Sequence, residues 1–142
     1  MTREEVFDAL NSNVAFYLAT VEEDQPHVRG MMLYRADNDG ILFHTAVKKQ
    51  VYKQMIANSK VELCFSCGGQ QIRVVGQVEE IDDNKLKDEI VEHPSRNFLK
   101  AWKEGGAFED FYKGIAVFNL KNGVAHIWSM DKNFQPQEIV QL

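Results

Sequence analysis

The sequence of 142 residues predicts a mainly β protein with added helices (β+α), a six- to seven-stranded antiparallel barrel with peripheral helices packed on its outside. Three observations carry this. Runs of β-branched and aromatic residues recur along the chain, most of them joined by short polar turns that suit antiparallel neighbours. Amphipathic helical stretches are few and fall between those runs. One run, Gln71 to Ile81, is long and carries Gly76 near its middle, where a strand bending round a barrel needs a bulge.

Taken in order, Thr2-Arg3-Glu4-Glu5 is a capping box, and Val6, Phe7 and Leu10 give the helix behind it one apolar face. Val14 to Val21 reads as a strand buried on both faces, and the turn Glu22 to Pro26 returns the chain as His27 to Ala36. Asp37-Asn38-Asp39-Gly40 turns into a third strand, Ile41 to Thr45. A helix over about 48–57 follows, with Val51, Met55 and Tyr52, Ile56 at i, i+4 spacing. Strands at Lys60 to Ser66 and Gln71 to Ile81 flank Gly68-Gly69. Asp82-Asp83-Asn84 caps a helix to about Glu92, and Pro94-Ser95 begins another carrying Phe98, Leu99 and Trp102. Phe108 to Tyr112 is compatible with helix or strand. Gly114 to Leu120 and Val124 to Met130 flank Lys121-Asn122-Gly123, which predicts a hairpin between a sixth and a seventh strand, and the tail supplies a short edge strand.

The composition bounds the function. The length suits one domain, 1–142, with a helical insert at about 82–106. A net charge of −5 gives no electrostatic support for a nucleic-acid or anionic-membrane partner, so a small molecule is expected. No apolar run approaches the roughly 18 residues of a membrane span, and the N-terminus lacks a basic-then-apolar signal, so the expected location is cytoplasmic. Cys64 and Cys67 have C-x-x-C spacing but lie on a strand pattern, where residues three apart face opposite sides; they read as structural thiols. The histidines show no metal-ligand pattern, and His44 alternates away from Phe43 and Thr45 as a structural residue.

One stretch breaks a local rule. Lys48 and Lys49 stand where a helix begins, at the positive end of its dipole and beside its unpaired N–H groups. A phosphate docked against those groups and the hydroxyl of Thr45 would turn the fault into a binding site, whereas the ordinary alternative is a pair of solvated lysines.

In its order of motifs, QPHVRGMMLY, DGILFHT, KKQVYKQM, KVELCF and QIRVVGQVEEI, the chain resembles the FMN-binding split barrel family related to pyridoxamine 5′-phosphate oxidase, over roughly residues 1 to 130. The resemblance implies a split β-barrel, a homodimer and one FMN per subunit at the dimer interface. It places Arg29 and Lys49 on the FMN phosphate, with Thr45 closing the third strand, and the tight turn puts more weight on Lys48. Gly30, Met31 and Met32 would run along the isoalloxazine ring, the two methionines reading equally well as barrel core. Arg73 would reach FMN, that of its own subunit or of the partner, or else form a surface salt bridge; Trp128 would lie near the flavin or in the core. The chain also departs from true pyridoxamine phosphate oxidases. Tyr34 stands where they have a second basic residue, and Trp128 to Lys132 lacks their Arg-rich ending, so vitamin B6 oxidation is not expected. The insert resembles that of small flavoproteins grouped with nitroimidazole-resistance reductases. The function so implied is an oxidoreductase passing electrons from NAD(P)H or a similar donor to a small acceptor, with no catalytic side chain identified. The alternatives are a flavin-binding or sensing protein without turnover, and a split barrel that binds haem or a deazaflavin.

Overall fold

A computed structural model describes residues 1–142. Helix α1 (Arg3–Ser12) is followed by strands β1 (Ala15–Glu22), β2 (Gln25–Asp37) and β3 (Gly40–Ala46). Helix α2 (Gln50–Ala57) leads to β4 (Lys60–Cys67) and β5 (Gln70–Ile81). The insert holds α3 (Asn84–Glu92), a 3-10 turn (Pro94–Arg96), α4 (Asn97–Glu104) and the single-turn α5 (Phe111–Gly114). β6 (Ile115–Ser129) and β7 (Glu138–Gln141) complete the chain. The strands run in the order β3-β2-β1-β4-β5-β6-β7, every pair antiparallel, and β3 also pairs with β6. Six strands therefore close a barrel, and β7 is added beyond the seam. No helix is long and apolar enough to cross a membrane.

The expected hairpin at Lys121-Asn122-Gly123 is not there; β6 runs through it as one strand. A two-residue type I′ turn needs both central residues left-handed. Asn122 is, at φ 54°, but Gly123 is not. The pair instead makes an irregularity opposite Gly76, where the β5–β6 register slips between Val75 and Gln77. A Cβ on Gly123 would lie 2.6 Å from Leu120 Cδ2, and one on Gly76 would lie 2.9 Å from the same atom. Both glycines thus make room for Leu120. The bend lets the first half of β6 close on β3 while the second half carries β7.

Period-2 alternation sorts β3 between two cores. Ile41 and Phe43 enter the barrel with Phe16, Leu18, Phe65 and Phe118, where Phe16 stacks on Phe65 at 4.9 Å. Leu42 points outward and meets Ile90, Val91, Leu99 and Phe111 of the insert. This second cluster fixes the insert beside the end of β3, which places it at the site. The turn entering β3 is equally constrained. Gly40 has φ +127°, and a Cβ there would overlap Asn119 Oδ1, whose amide donates to Asp39 O at 2.9 Å. Gly40→Ala is expected to destabilise the fold by about 1–3 kcal/mol, read as a lower urea midpoint at unchanged slope.

Candidate functional site

A cavity of about 990 Å³ opens where β1, β2, the end of β3, the start of α2 and the insert meet. Of its 18 lining residues 12 are hydrophobic and none is acidic, the profile of a site for an apolar or anionic ligand. Its walls follow from register. Tyr17 is opposite Gly30 and Ala15 opposite Met32, so the outer faces of β1 and β2 form one side. Phe98 and Leu99 of α4, with Trp102 one helical turn further on, form the other. Apart from its two chain neighbours, nothing lies within 4 Å of where a Gly30 Cβ would be. No internal packing calls for this glycine; its absent side chain leaves backbone bare to the cavity.

The floor of the cavity is His44, Thr45, Ala46 and Lys49. Lys49 is the N-cap of α2, yet no side chain caps that helix and its first turn holds no acid. Among the other helix starts only that of α4 likewise lacks both a side-chain cap and a first-turn acid. Thr2 and Glu5 make a full capping box on α1, and Asp83 accepts from Lys85 N and Leu86 N on α3. The start of α2 is thus an uncompensated positive end with Lys48 and Lys49 exposed beside it.

Of the residues singled out in the sequence, Gly30, Met31, Met32, Thr45 and Lys49 come together on the cavity, while Arg29, Lys48, Arg73 and Trp128 do not line it. Arg29 follows Leu18 to the interior side of the sheet, donating through Nη1 to Leu18 O (3.2 Å) and Thr20 Oγ1 (2.8 Å) and through Nη2 to Gln54 Oε1 of α2. Arg73 lies 3.8 Å from Glu62 in the surface ion pair that was its alternative reading. Trp128 is half-buried and donates to Asn133 Oδ1 at 2.8 Å. Register nevertheless sets Gly30, Tyr17, Cys64, Arg73, His126 and Ile139 in one row across six strands, on the outer face that also forms the cavity wall. Both cysteines are free, and burial pushes both thiols up, away from nucleophilic use.

Two residues of the site were not recognised as such. His44 shares the outward face of Leu42, so its alternation is as expected, but that face is the cavity floor. Its ring stacks on Phe98, and Arg96 Nε donates to its Nε2 at 2.9 Å. Burial, then the charges of Arg96 and Lys49, push the imidazole down to about 4. Arg96 is 1% exposed, and its Nη2 donates to Leu33 O at 2.7 Å between the rings of Tyr34 and Phe98. Period 2 could have placed His44. Nothing in Pro94-Ser95-Arg96 announces a buried arginine. Tyr34 is held elsewhere: its hydroxyl donates to Glu89 Oε2 at 2.6 Å, and desolvation, with that carboxylate, pushes it up to about 12.

Comparison with known proteins bears on the family and the fold. The family model described as pyridoxamine 5′-phosphate oxidase matches residues 2–116. The pyridoxine/pyridoxamine 5′-phosphate oxidase of Rhizobium meliloti (strain 1021) is 28% identical over 126 residues, covering 83% of this chain and 61% of its own length. The chain thus spans about three fifths of that relative's length. Among solved structures, a NimC/NimA family protein from Clostridium acetobutylicum superposes with a TM-score of 0.76 at 28% identity, over 98% of this chain and 92% of the other. A pyridoxamine 5′-phosphate oxidase-related, FMN binding protein from Nostoc punctiforme shares the fold with a TM-score of 0.67 at 18% identity, over 96% and 87% of the two chains. With a closed six-stranded barrel, a cavity at the start of α2 and a family match over most of its length, the chain belongs to the pyridoxamine 5′-phosphate oxidase family of split barrels.

Proposed function

We propose that the cavity holds FMN and that the protein passes electrons from a reduced nicotinamide or similar donor to a small acceptor. One observation carries the reading: an apolar cavity walled by a bare Gly30 ends at a helix start that lacks a cap and carries Lys49. Such a site offers a flat ring an apolar wall and offers a phosphate N–H groups and a cation. Thr45 supplies a hydroxyl, and Lys48 stands beside Lys49 at the turn. Arg29 gives Leu18, Thr20 and Gln54 three of its five N–H groups and is the proposed second cation, bracing α2 while it contributes. Bound FMN would supply the redox chemistry, and the chain's residues would bind, orient and exclude water. The oxidase reaction of the longer relatives is not carried over, because Tyr34, bonded to Glu89, stands where a second basic residue is expected. The haem reading loses ground: His44 is the cavity's single imidazole, and its Nε2 is occupied by Arg96.

The protein incubated with FMN and freed of excess is expected to keep the visible bands of an oxidised flavin and to lose them on adding NADH or NADPH. A colourless protein would remove the cofactor, and bands that neither donor bleaches would favour flavin binding without turnover. Lys49→Ala is expected to weaken FMN by about 1–3 kcal/mol while riboflavin, lacking the phosphate, changes little; equal losses for both would move the anchor from phosphate to ring.

The same reading includes a homodimer. Val28 (69%), Tyr17 (62%) and Ile139 (53%) are exposed on the outer face that holds Arg73 and Trp128, and a second copy seated there would cover this apolar surface and close the open side of the cavity. Light scattering is expected to give a dimer that Tyr17→Glu converts to monomer with loss of flavin; a wild-type monomer would overturn the shared site.

A further inference from the structure

Arg96 is the largest of the fully buried side chains, and no Asp or Glu lies within ion-pair distance of it. A guanidinium has donors only, so the Arg96 Nε–His44 Nε2 bond has one polarity: Nε2 accepts, and the imidazole proton must sit on Nδ1. Nδ1 has no hydrogen-bond partner in the chain, and it is not among the buried polar atoms cut off from solvent. His44 lines the cavity, so an unpaired, oriented N–H donor is left there.

The geometry points to Arg96 as a positioning residue that locks His44 in its neutral Nδ1–H form, making it the recognition donor for a carboxylate or carbonyl oxygen on the small acceptor. This rests on the cavity being the reaction site. The surroundings support it from every side. The groups facing the imidazole are Arg96 from the 3-10 turn, Lys49 from the start of α2 and Phe98 from α4, all cationic or apolar. Tyr34 and its partner Glu89 lie behind Arg96, and the His93 ring is turned to Ser95. No acid lines the cavity, so nothing there competes for the N–H or favours a cationic ligand. A neutral, fixed imidazole donates a hydrogen bond without offering a titrating proton, which suits recognition of an oxygen and not general-acid catalysis.

The test uses the protein without flavin, so its failure is separate from failure of the FMN reading. In 15N-histidine NMR spectra, with His44 assigned by the resonance lost in His44→Gln, the wild type is expected to show the Nδ1–H tautomer, neutral across pH 5 to 8. Arg96→Met should convert it to the Nε2–H form or a mixture and bring its titration into that window; should that variant not fold, Arg96→Lys, which lacks the planar fork, should do the same in part. Benzoate is the ligand probe. It is expected to shift the His44 Nδ1 resonance and to bind about tenfold more weakly to His44→Phe. An Nε2–H tautomer in the wild type, or a His44 that titrates near 6.5, would overturn the lock. Equal benzoate affinity in wild type and His44→Phe would overturn the recognition role.

Discussion

Arg96→Ala is expected to lower the stability of the fold by about 3–5 kcal/mol, as much as truncating a fully buried core side chain. The reason lies in β2. Its register with β3 slips between Leu33 and Arg35, and the Leu33 carbonyl is met by Arg96 Nη2 at 2.7 Å. Removing the guanidinium leaves that oxygen buried without a donor, leaves His44 Nε2 without one, and opens the space between Tyr34 and Phe98. The losses are unequal. His44 can exchange its tautomer to suit the change, but a carbonyl cannot. Arg96→Met separates the contributions: it refills the volume and relieves the cost of burying a cation without a carboxylate, so about 1–3 kcal/mol for the orphaned acceptors should remain. Urea titrations of both variants against wild type check this. Equal losses for Ala and Met would show that the hydrogen bonds, and not the volume, carry the whole effect; no loss for either would mean that water reaches Leu33 O in their place.

The parts of this molecule that were legible in the sequence are those whose signal is local. Thr2 and Glu5 cap α1 as the capping box predicts. The alternation of Ile41 to Thr45 sorts β3 correctly between barrel and outside, and Gly76 marks a real irregularity. Asn122-Gly123 misled because one dipeptide serves both a hairpin and a bulge, and only the backbone angles of Gly123 and the demand of Leu120 for space decide between them. Lys49 and Thr45 were legible as a break in helix-start chemistry, and they do meet at the cavity with Gly30. Arg29, Arg73 and Trp128 came from resemblance alone, and their reach toward a ligand depends on side-chain paths and on a second subunit. The insert's side of the site was opaque for a different reason. Phe98 and Trp102 read as the apolar stripe of any helix, and no local pattern marks Arg96 as buried, until the Leu42 cluster docks the insert over the end of β3. Transverse relations across strands, such as the row from Gly30 to Ile139, exist only once register is known.

The stability of the protein is expected to fall between pH 6.5 and pH 4 through His44 by at most about 3 kcal/mol. The direction is opposite to that of a histidine that gains a carboxylate partner. Burial, with the charges of Arg96 and Lys49, holds the folded imidazole down at about 4 against an ordinary 6.5, so the native state binds the proton less readily than the unfolded chain. Above 6.5 neither state is protonated and His44 contributes no pH dependence. As pH falls through 6.5 the unfolded chain takes up a proton that the native state refuses until about 4, and stability drops across that window. Below 4 both states carry it and the loss stops growing. One edge of the ring meets the cavity, where water screens part of the cost, so the figure is an upper bound. His44→Phe keeps a ring against Phe98 and leaves Arg96 Nε unpaired at every pH, which adds a constant offset but no slope. Subtracting its stability from that of the wild type at each pH therefore isolates the imidazole, since all carboxylates are common to both. The difference should be flat above 6.5 and decline toward 4. Parallel curves over the whole range would mean that His44 titrates alike in the folded and unfolded chain, and that neither Arg96 nor burial holds it neutral.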